Sequence, residues 1–146
     1  MASISDADIE ISKVRCVYMI KVLIVDDNIG YADTIRDYLD QQPEFQVVVE
    51  NHPNNAIKAA QHWHPDLILL DVRMPERDGF EVLDILKHDH GTVAIPVVML
   101  TVIDEDESKI KAAKGYAEDY IIKPCSLREL KTRIERVVER RHGQKV

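Results

Sequence analysis

Short runs of Val, Ile and Leu recur along the chain, separated by stretches in which apolar residues return every third or fourth position. An apolar run of this length, bounded by polar residues, reads as a strand buried on both faces; the intervening pattern reads as an amphipathic helix. Strands are expected at about 21–26, 45–50, 67–70, 96–101 and 119–122. The first helix, 30–40, turns Ile35, Tyr38 and Leu39 inward. The second follows Pro53, a residue suited to a first helical turn, and buries Ala56, Ile57 and Ala60. The third starts near Gly79 and packs Val82, Leu83 and Leu86. The fourth, 105–114, has little beyond Ile110 and Ala113 to bury. The fifth begins at Ser126, which forms a capping-box pattern with Glu129, and its stripe is Leu127, Leu130, Ile134, Val137 and Val138. Strands alternating with helices imply an α/β fold, a doubly wound parallel sheet covered on both faces.

Three of these runs carry carboxylates at their ends. Val22–Val25 is followed by Asp26 and Asp27, and Leu67–Leu70 by Asp71; Asp119-Tyr120 opens the run that ends in Lys123-Pro124. Open α/β sheets place their ligands in the crevice past the carboxyl ends of the strands. Asp26, Asp27 and Asp71 brought together there repel and raise each other's pKa. A hard cation relieves that repulsion, and an all-oxygen donor set suits Mg²⁺. Lys123 in the same crevice would hold an anion beside the cation. This pattern points to Mg²⁺ and a phosphoryl group at Asp71.

Composition narrows the setting. The 146 residues fit one domain with a real core, and 45% hydrophobic with 31% charged content is ordinary for a globular chain. A net charge of -7 argues against direct grip on a nucleic-acid backbone. Cys16 and Cys125 form no spacing motif, so a reduced, cytoplasmic setting is expected. The apolar stretch 14–25 is broken by Arg15 and Lys21, and Asp6, Asp8 and Glu10 precede it, so neither a membrane span nor a signal peptide is expected. Residues 1–18 read as an extension, either a disordered tail or a lengthening of the first strand. The domain proper is expected over 19–141, with 142–146 as a tail. The roughly eight residues past Val138 are too few to fold alone.

In their order and spacing these residues resemble the receiver domain of bacterial two-component response regulators. The resemblance is carried by Lys21-Val22-Leu23-Ile24-Val25-Asp26-Asp27-Asn28, by Pro65 through Asp71, by Met74-Pro75-Glu76-Arg77-Asp78-Gly79, by Val97 through Thr101, and by Asp119-Tyr120-Ile121-Ile122-Lys123-Pro124. It implies a flavodoxin-like (βα)₅ fold with strand order 2-1-3-4-5. It implies that Asp71 accepts a phosphoryl group from a histidine kinase or phosphotransfer protein. Asp27, Asp71 and the Arg73 carbonyl would bind Mg²⁺ directly, with Asp26 acting mainly through water. Lys123 would pair with phosphate oxygens, aimed by a cis bond to Pro124. Thr101 would be the switch hydroxyl and Tyr120 the switch aromatic. Output would pass to a downstream protein or a fused output domain, and a homodimer would form through the helix 4–strand 5–helix 5 face. The chain would catalyse only its own phosphorylation and dephosphorylation.

Two positions depart from the family pattern. Tyr116 stands where glycine is usual, so a left-handed stop of the fourth helix is expected one residue early, at Gly115. Val102 follows Thr101 where a small residue is usual. Other features have plain readings. His62, His64, His88 and His90 read as solvated, Trp63 as packing, and Cys125 as a small buried hydrophobe. Lys131, Arg133, Arg136, Arg140 and Arg141 read as a solvated helix face. Two other functions compete with this one. A receiver-like interaction module working without phosphate would not need the full set Asp26, Asp27, Asp71, Thr101 and Lys123. An Asp-nucleophile phosphohydrolase wants a second acid two residues past the nucleophile, where Arg73 stands.

Overall fold

The computed structural model describes residues 19–102 and 115–144. The expected fourth helix and residues 1–18 lie outside the described residues. The elements are β1 (Ile20–Val25), α1 (Ile29–Asp40), β2 (Phe45–Glu50), a 3₁₀ turn (Pro53–Asn55), α2 (Ala56–Trp63), β3 (Leu67–Asp71), α3 (Gly79–Lys87), β4 (Val97–Val102), β5 (Asp119–Lys123) and α4 (Leu127–Gln144). The last is the expected fifth helix, and it continues past residue 141. All five strands are parallel, in the order β2-β1-β3-β4-β5.

The continuous apolar runs are explained by the two-sided cover. Side chains of a strand alternate between faces. Val22, Ile24, Leu67, Leu69, Val98, Leu100 and Ile121 face one layer, where α1 brings Ala32, Ile35 and Leu39 and α4 brings Leu130, Ile134, Val137 and Val138. Leu23, Val25, Ile68, Leu70, Val97 and Met99 face the other, under Ala56 and Ala60 of α2 and Val82, Leu83 and Leu86 of α3. In the central strands only Lys21 and Val102 are half-buried and the rest are buried, so alternation of apolar and polar positions is absent from the sequence there.

Helix starts follow their capping residues. Asn28 Oδ1 accepts from Tyr31 N at the head of α1, Asp78 Oδ1 from Phe80 N at α3, and Ser126 Oγ from Glu129 N at α4. Pro53 opens the 3₁₀ turn rather than α2 itself. His64 closes α2 in the left-handed conformation, φ 52°. Gly115, expected to be a left-handed stop, does not have a positive φ. It sits in a turn with nothing near its missing Cβ, so no steric demand selects that conformation.

Strand ends differ by one residue from the periodicity. β1 stops at Val25, so Asp26 is the first residue past the strand. β4 runs through Val102, so Thr101 lies within the strand rather than at its end. Parallel pairing explains the second shift: Val102 still has a register partner, Lys123 of β5.

Gly79 ties α3 to the end of β3. Its N–H donates to the Val72 carbonyl at 2.8 Å. A Cβ there would lie 2.2 Å from the Asp71 carbonyl oxygen and 2.8 Å from Val72 Cα, both backbone atoms. Neither can yield as a flexible side chain would. Gly79→Ala should therefore cost roughly 2–3 kcal/mol of unfolding free energy through forced backbone movement. Urea titration of the two proteins checks this; an unchanged midpoint would contradict it.

Candidate functional site

The pairing of β1 with β3 sets the site. Val25 pairs with Leu70, so the chain leaves β1 at Asp26 beside Asp71, the last residue of β3. Asp26 is fully buried, Asp71 nearly so, and Asp27 half-buried. One ligand oxygen from each of Asp26, Asp27 and Asp71 lies within 4.8 Å of the others. β5 delivers Lys123 from the far side of β4: its Nζ donates to Asp71 Oδ1 at 2.7 Å and stands 4.0 Å from Asp26 Oδ2. The Lys123–Pro124 peptide is cis. Asp26, Asp27, Asp71, Thr101, Val102 and Lys123 share the lining of a cavity of about 270 Å³, to which Arg73 also contributes.

Electrostatics follow from this crowding. Burial pushes the Asp26 carboxyl up to about 6; the Asn28 N–H it accepts pulls the other way, and Asp71 adds repulsion. Burial likewise raises the Asp71 carboxyl, against the hydrogen bond and charge of Lys123. Asp26 Oδ1 accepts the Asn28 N–H at 3.0 Å, but its Oδ2 is buried with no hydrogen-bond partner among the described residues. An orphaned, buried carboxylate oxygen beside two more carboxylates is what a hard cation would satisfy. The donor set therefore fits Mg²⁺, with Asp26, Asp27 and Asp71 as its carboxylates.

Of the remaining expected residues, Thr101 lines the cavity and Tyr120 does not. Thr101 is buried, and its Oγ1 donates to the Val102 carbonyl at 3.3 Å. The ring of Tyr120 packs against the second core cluster, and its hydroxyl is buried with no hydrogen-bond partner among the described residues. Burial pushes that phenol up to about 12. Cys125 is half-buried rather than buried, packed on the first core cluster. Trp63 packs against the second cluster as expected, with Lys21 Nζ 4.9 Å from its ring centroid and bonded to its carbonyl.

On the basic face of α4, Arg136 and Arg140 are exposed as expected, while Arg133, Arg141 and Lys131 depart from the solvated reading. Arg133 grips both Asp119 oxygens, Nε–Oδ2 at 2.8 Å and Nη2–Oδ1 at 2.6 Å, and donates to the Tyr120 carbonyl at 2.9 Å. Arg141 pairs with Glu118, and Lys131 with Glu135. A fork-shaped guanidinium finds a bidentate partner at the head of β5 that helix periodicity alone does not reveal.

Sequence reasoning missed Tyr31. Its ring lies under the Lys123 ammonium, 4.7 Å from Nζ to the ring centroid. The available signal was an aromatic one helical turn past Asp27, on the turn that faces the crevice.

Comparison with known proteins agrees with this geometry. The response regulator receiver domain family matches residues 22–135. The phosphate regulon transcriptional regulatory protein PhoB of Pseudomonas aeruginosa is 37% identical over 119 residues, 82% of this chain and 52% of that protein. The alkaline phosphatase synthesis transcriptional regulatory protein PhoP of Bacillus subtilis is 34% identical over 120 residues, 82% of this chain and 49% of its own length. The chain thus spans about half the length of these regulators. The solved receiver domain of Francisella response regulator 1452 is 30% identical, covers 83% of this chain and 98% of that one, and superposes with a TM-score of 0.73. No helix among the described residues is long and apolar enough to cross a membrane.

The Asp26 carboxyl titrates above its ordinary value of 3.8 when folded. Between the two values the folded protein holds a proton that the unfolded chain has released. The stability this contributes is present below the unfolded value and is lost as pH rises through about 6. In the absence of divalent ions, Asp26→Asn should therefore stabilise the protein at about pH 8, by roughly 1–2 kcal/mol, and the gain should shrink toward about pH 4. Thermal melts in chelator at both pH values test this; equal or lower stability of the variant at the higher pH would refute it.

Proposed function

The chain belongs to the response regulator receiver domain family, and on that premise we propose that it accepts a phosphoryl group on Asp71 in a Mg²⁺-dependent reaction. One observation carries this reading: three carboxylates converge within 4.8 Å while Lys123 stands 2.7 Å from Asp71 Oδ1. The donor would be a phosphohistidine of a sensor kinase or phosphotransfer protein. An Asp71 oxygen attacks phosphorus, the P–N bond breaks, and the imidazole nitrogen leaves with the electron pair. Lys123 exchanges Asp71 Oδ1 for a phosphoryl oxygen. Mg²⁺, held by Asp27, Asp71 and the Arg73 carbonyl with Asp26 acting through water, would neutralise charge on the transferring group.

Thr101 then turns its hydroxyl from the Val102 carbonyl to the phosphoryl group, and Tyr120 follows as the switch aromatic. The altered face would be read by a downstream protein or a fused output domain. The chain would act on no substrate but itself. The phosphohydrolase reading finds no support, because Arg73 stands where the second acid is required.

Incubation with acetyl phosphate and Mg²⁺ should add one phosphoryl group to the wild type and none to Asp71→Asn, read by intact mass. In Asp27→Ala, half-maximal labelling should need about tenfold more Mg²⁺, a factor equivalent to about 1.4 kcal/mol of ion binding. Labelling of Asp71→Asn, or labelling of Asp27→Ala that chelator does not reduce, would overturn the proposal.

Val102 is half-buried at the cavity wall. Its branched, stiff side chain crowds the approach of water to phosphorus more than the usual small residue. The phosphorylated form should accordingly be long-lived. Val102→Ala should lose phosphate at least about twofold faster at fixed Mg²⁺, the equivalent of about 0.4 kcal/mol of barrier. An equal or slower rate in a folded variant would show that Val102 does not gate the water.

A further inference from the structure

Lys123 has three neighbours in the site. Two are the carboxylates of Asp71 and Asp26. The third is the face of the Tyr31 ring, and phosphoryl chemistry does not by itself call for it. A cation within about 6 Å of an aromatic centroid is drawn to the ring face. The ring is held from two sides. Tyr31 lies in the first turn of α1 and packs against the core cluster that α1 and α4 build. Cys125, two residues past Lys123, packs on the same cluster. Tyr31 is thus fixed at its backbone by α1 and along its ring by the core that the segment carrying Lys123 also joins.

We propose that Tyr31 is a positioning residue for phosphoryl transfer, whose ring face keeps the Lys123 ammonium over the cavity. This rests on the reading of Asp71 as the phosphoryl acceptor. During transfer the ammonium must give up Asp71 Oδ1 for a phosphoryl oxygen. A long, flexible side chain bound only by that oxygen would be released at the moment it is needed. Attraction to a ring face varies little with lateral position, so the ammonium slides across Tyr31 without leaving it. A packing role for Tyr31 would need only its bulk; a positioning role needs its π-face.

Substitution by leucine and by phenylalanine separates these roles. The Lys123 ε-methylene protons should show upfield ring-current shifts in the wild type and in Tyr31→Phe, and ordinary shifts in Tyr31→Leu. With acetyl phosphate and saturating Mg²⁺, the phosphorylation rate should fall about three- to tenfold in Tyr31→Leu, the range expected of a partly desolvated cation–π contact. Tyr31→Phe should stay within about twofold of wild type. In a Lys123→Ala background Tyr31→Leu should add no further loss, because Tyr31 acts through the lysine. Should the leucine variant fail to fold, Tyr31→Met takes its place. Wild-type rates in Tyr31→Leu, an equal loss in the Lys123→Ala background, or an absent ring-current shift in the wild type would each overturn the proposal. If wild-type Asp71 takes no phosphoryl group, the functional reading fails and this role fails with it. Normal labelling of Asp71 with an indifferent Tyr31 would sink the positioning role alone.

Discussion

Like charges brought together at the ends of two neighbouring strands are the constraint around which this molecule is arranged. β1 and β3 are the middle of the sheet, locked in register by side chains with no exposure to solvent. That register leaves Asp26 and Asp71 no freedom to separate. Their repulsion and desolvation are accepted by a core rigid enough to bear them. Lys123 relieves only part of the cost, since among the described residues Asp26 Oδ2 accepts no hydrogen bond and lies 4.0 Å from the ammonium. The frame is strong enough to hold an electrostatically unfavourable site.

The cover of the sheet is divided in a way that serves the same end. Among the described residues, α1 and α4 cover one face mainly with branched side chains beside Ala32, and α2 and α3 cover the other with a set that includes Ala56 and Ala60. Arg133 fastens α4 to the head of β5 through Asp119 and the Tyr120 carbonyl. β5 has a sheet neighbour on one side only, so a side-chain clamp stands in for a second strand. Lys123, at the other end of that strand, owes part of its placement to this anchor.

Most of the frame was legible from residues alone. Fully buried strands write themselves as uninterrupted Val, Ile and Leu, and strand ends write themselves as Asp26 and Asp71. Ser126 with Glu129 marked a helix start that the structure keeps. Boundaries were less legible, because parallel pairing extends or trims a strand by one residue without altering its composition, as at Val102. Gly115 misled, since a glycine permits a left-handed turn but does not require one. Arg133 and Tyr31 were hidden for a different reason. Their partners, Asp119 and Lys123, are remote along the chain, and only the crossing of helix over strand brings them near. Asp71, Asp27, Asp26, Thr101 and Lys123 could be picked out because each stands at the end of a run; Tyr31 sits inside a helix, where an aromatic ordinarily signals packing.

The bond from Gly79 N–H to the Val72 carbonyl has a consequence for the loop it encloses. It turns the segment from Val72 to Gly79 into a closed ring, stapled at its neck against Asp71. Val72, Met74 and Gly79 are buried around the neck, whereas Pro75 and Glu76 stand in solvent at the crest. Deformation at the crest is absorbed within the ring before it can reach the carboxylate. Substitution at the exposed Pro75 or Glu76 can therefore re-dress the rim of this crevice while the neck holds the Asp71 carboxylate still.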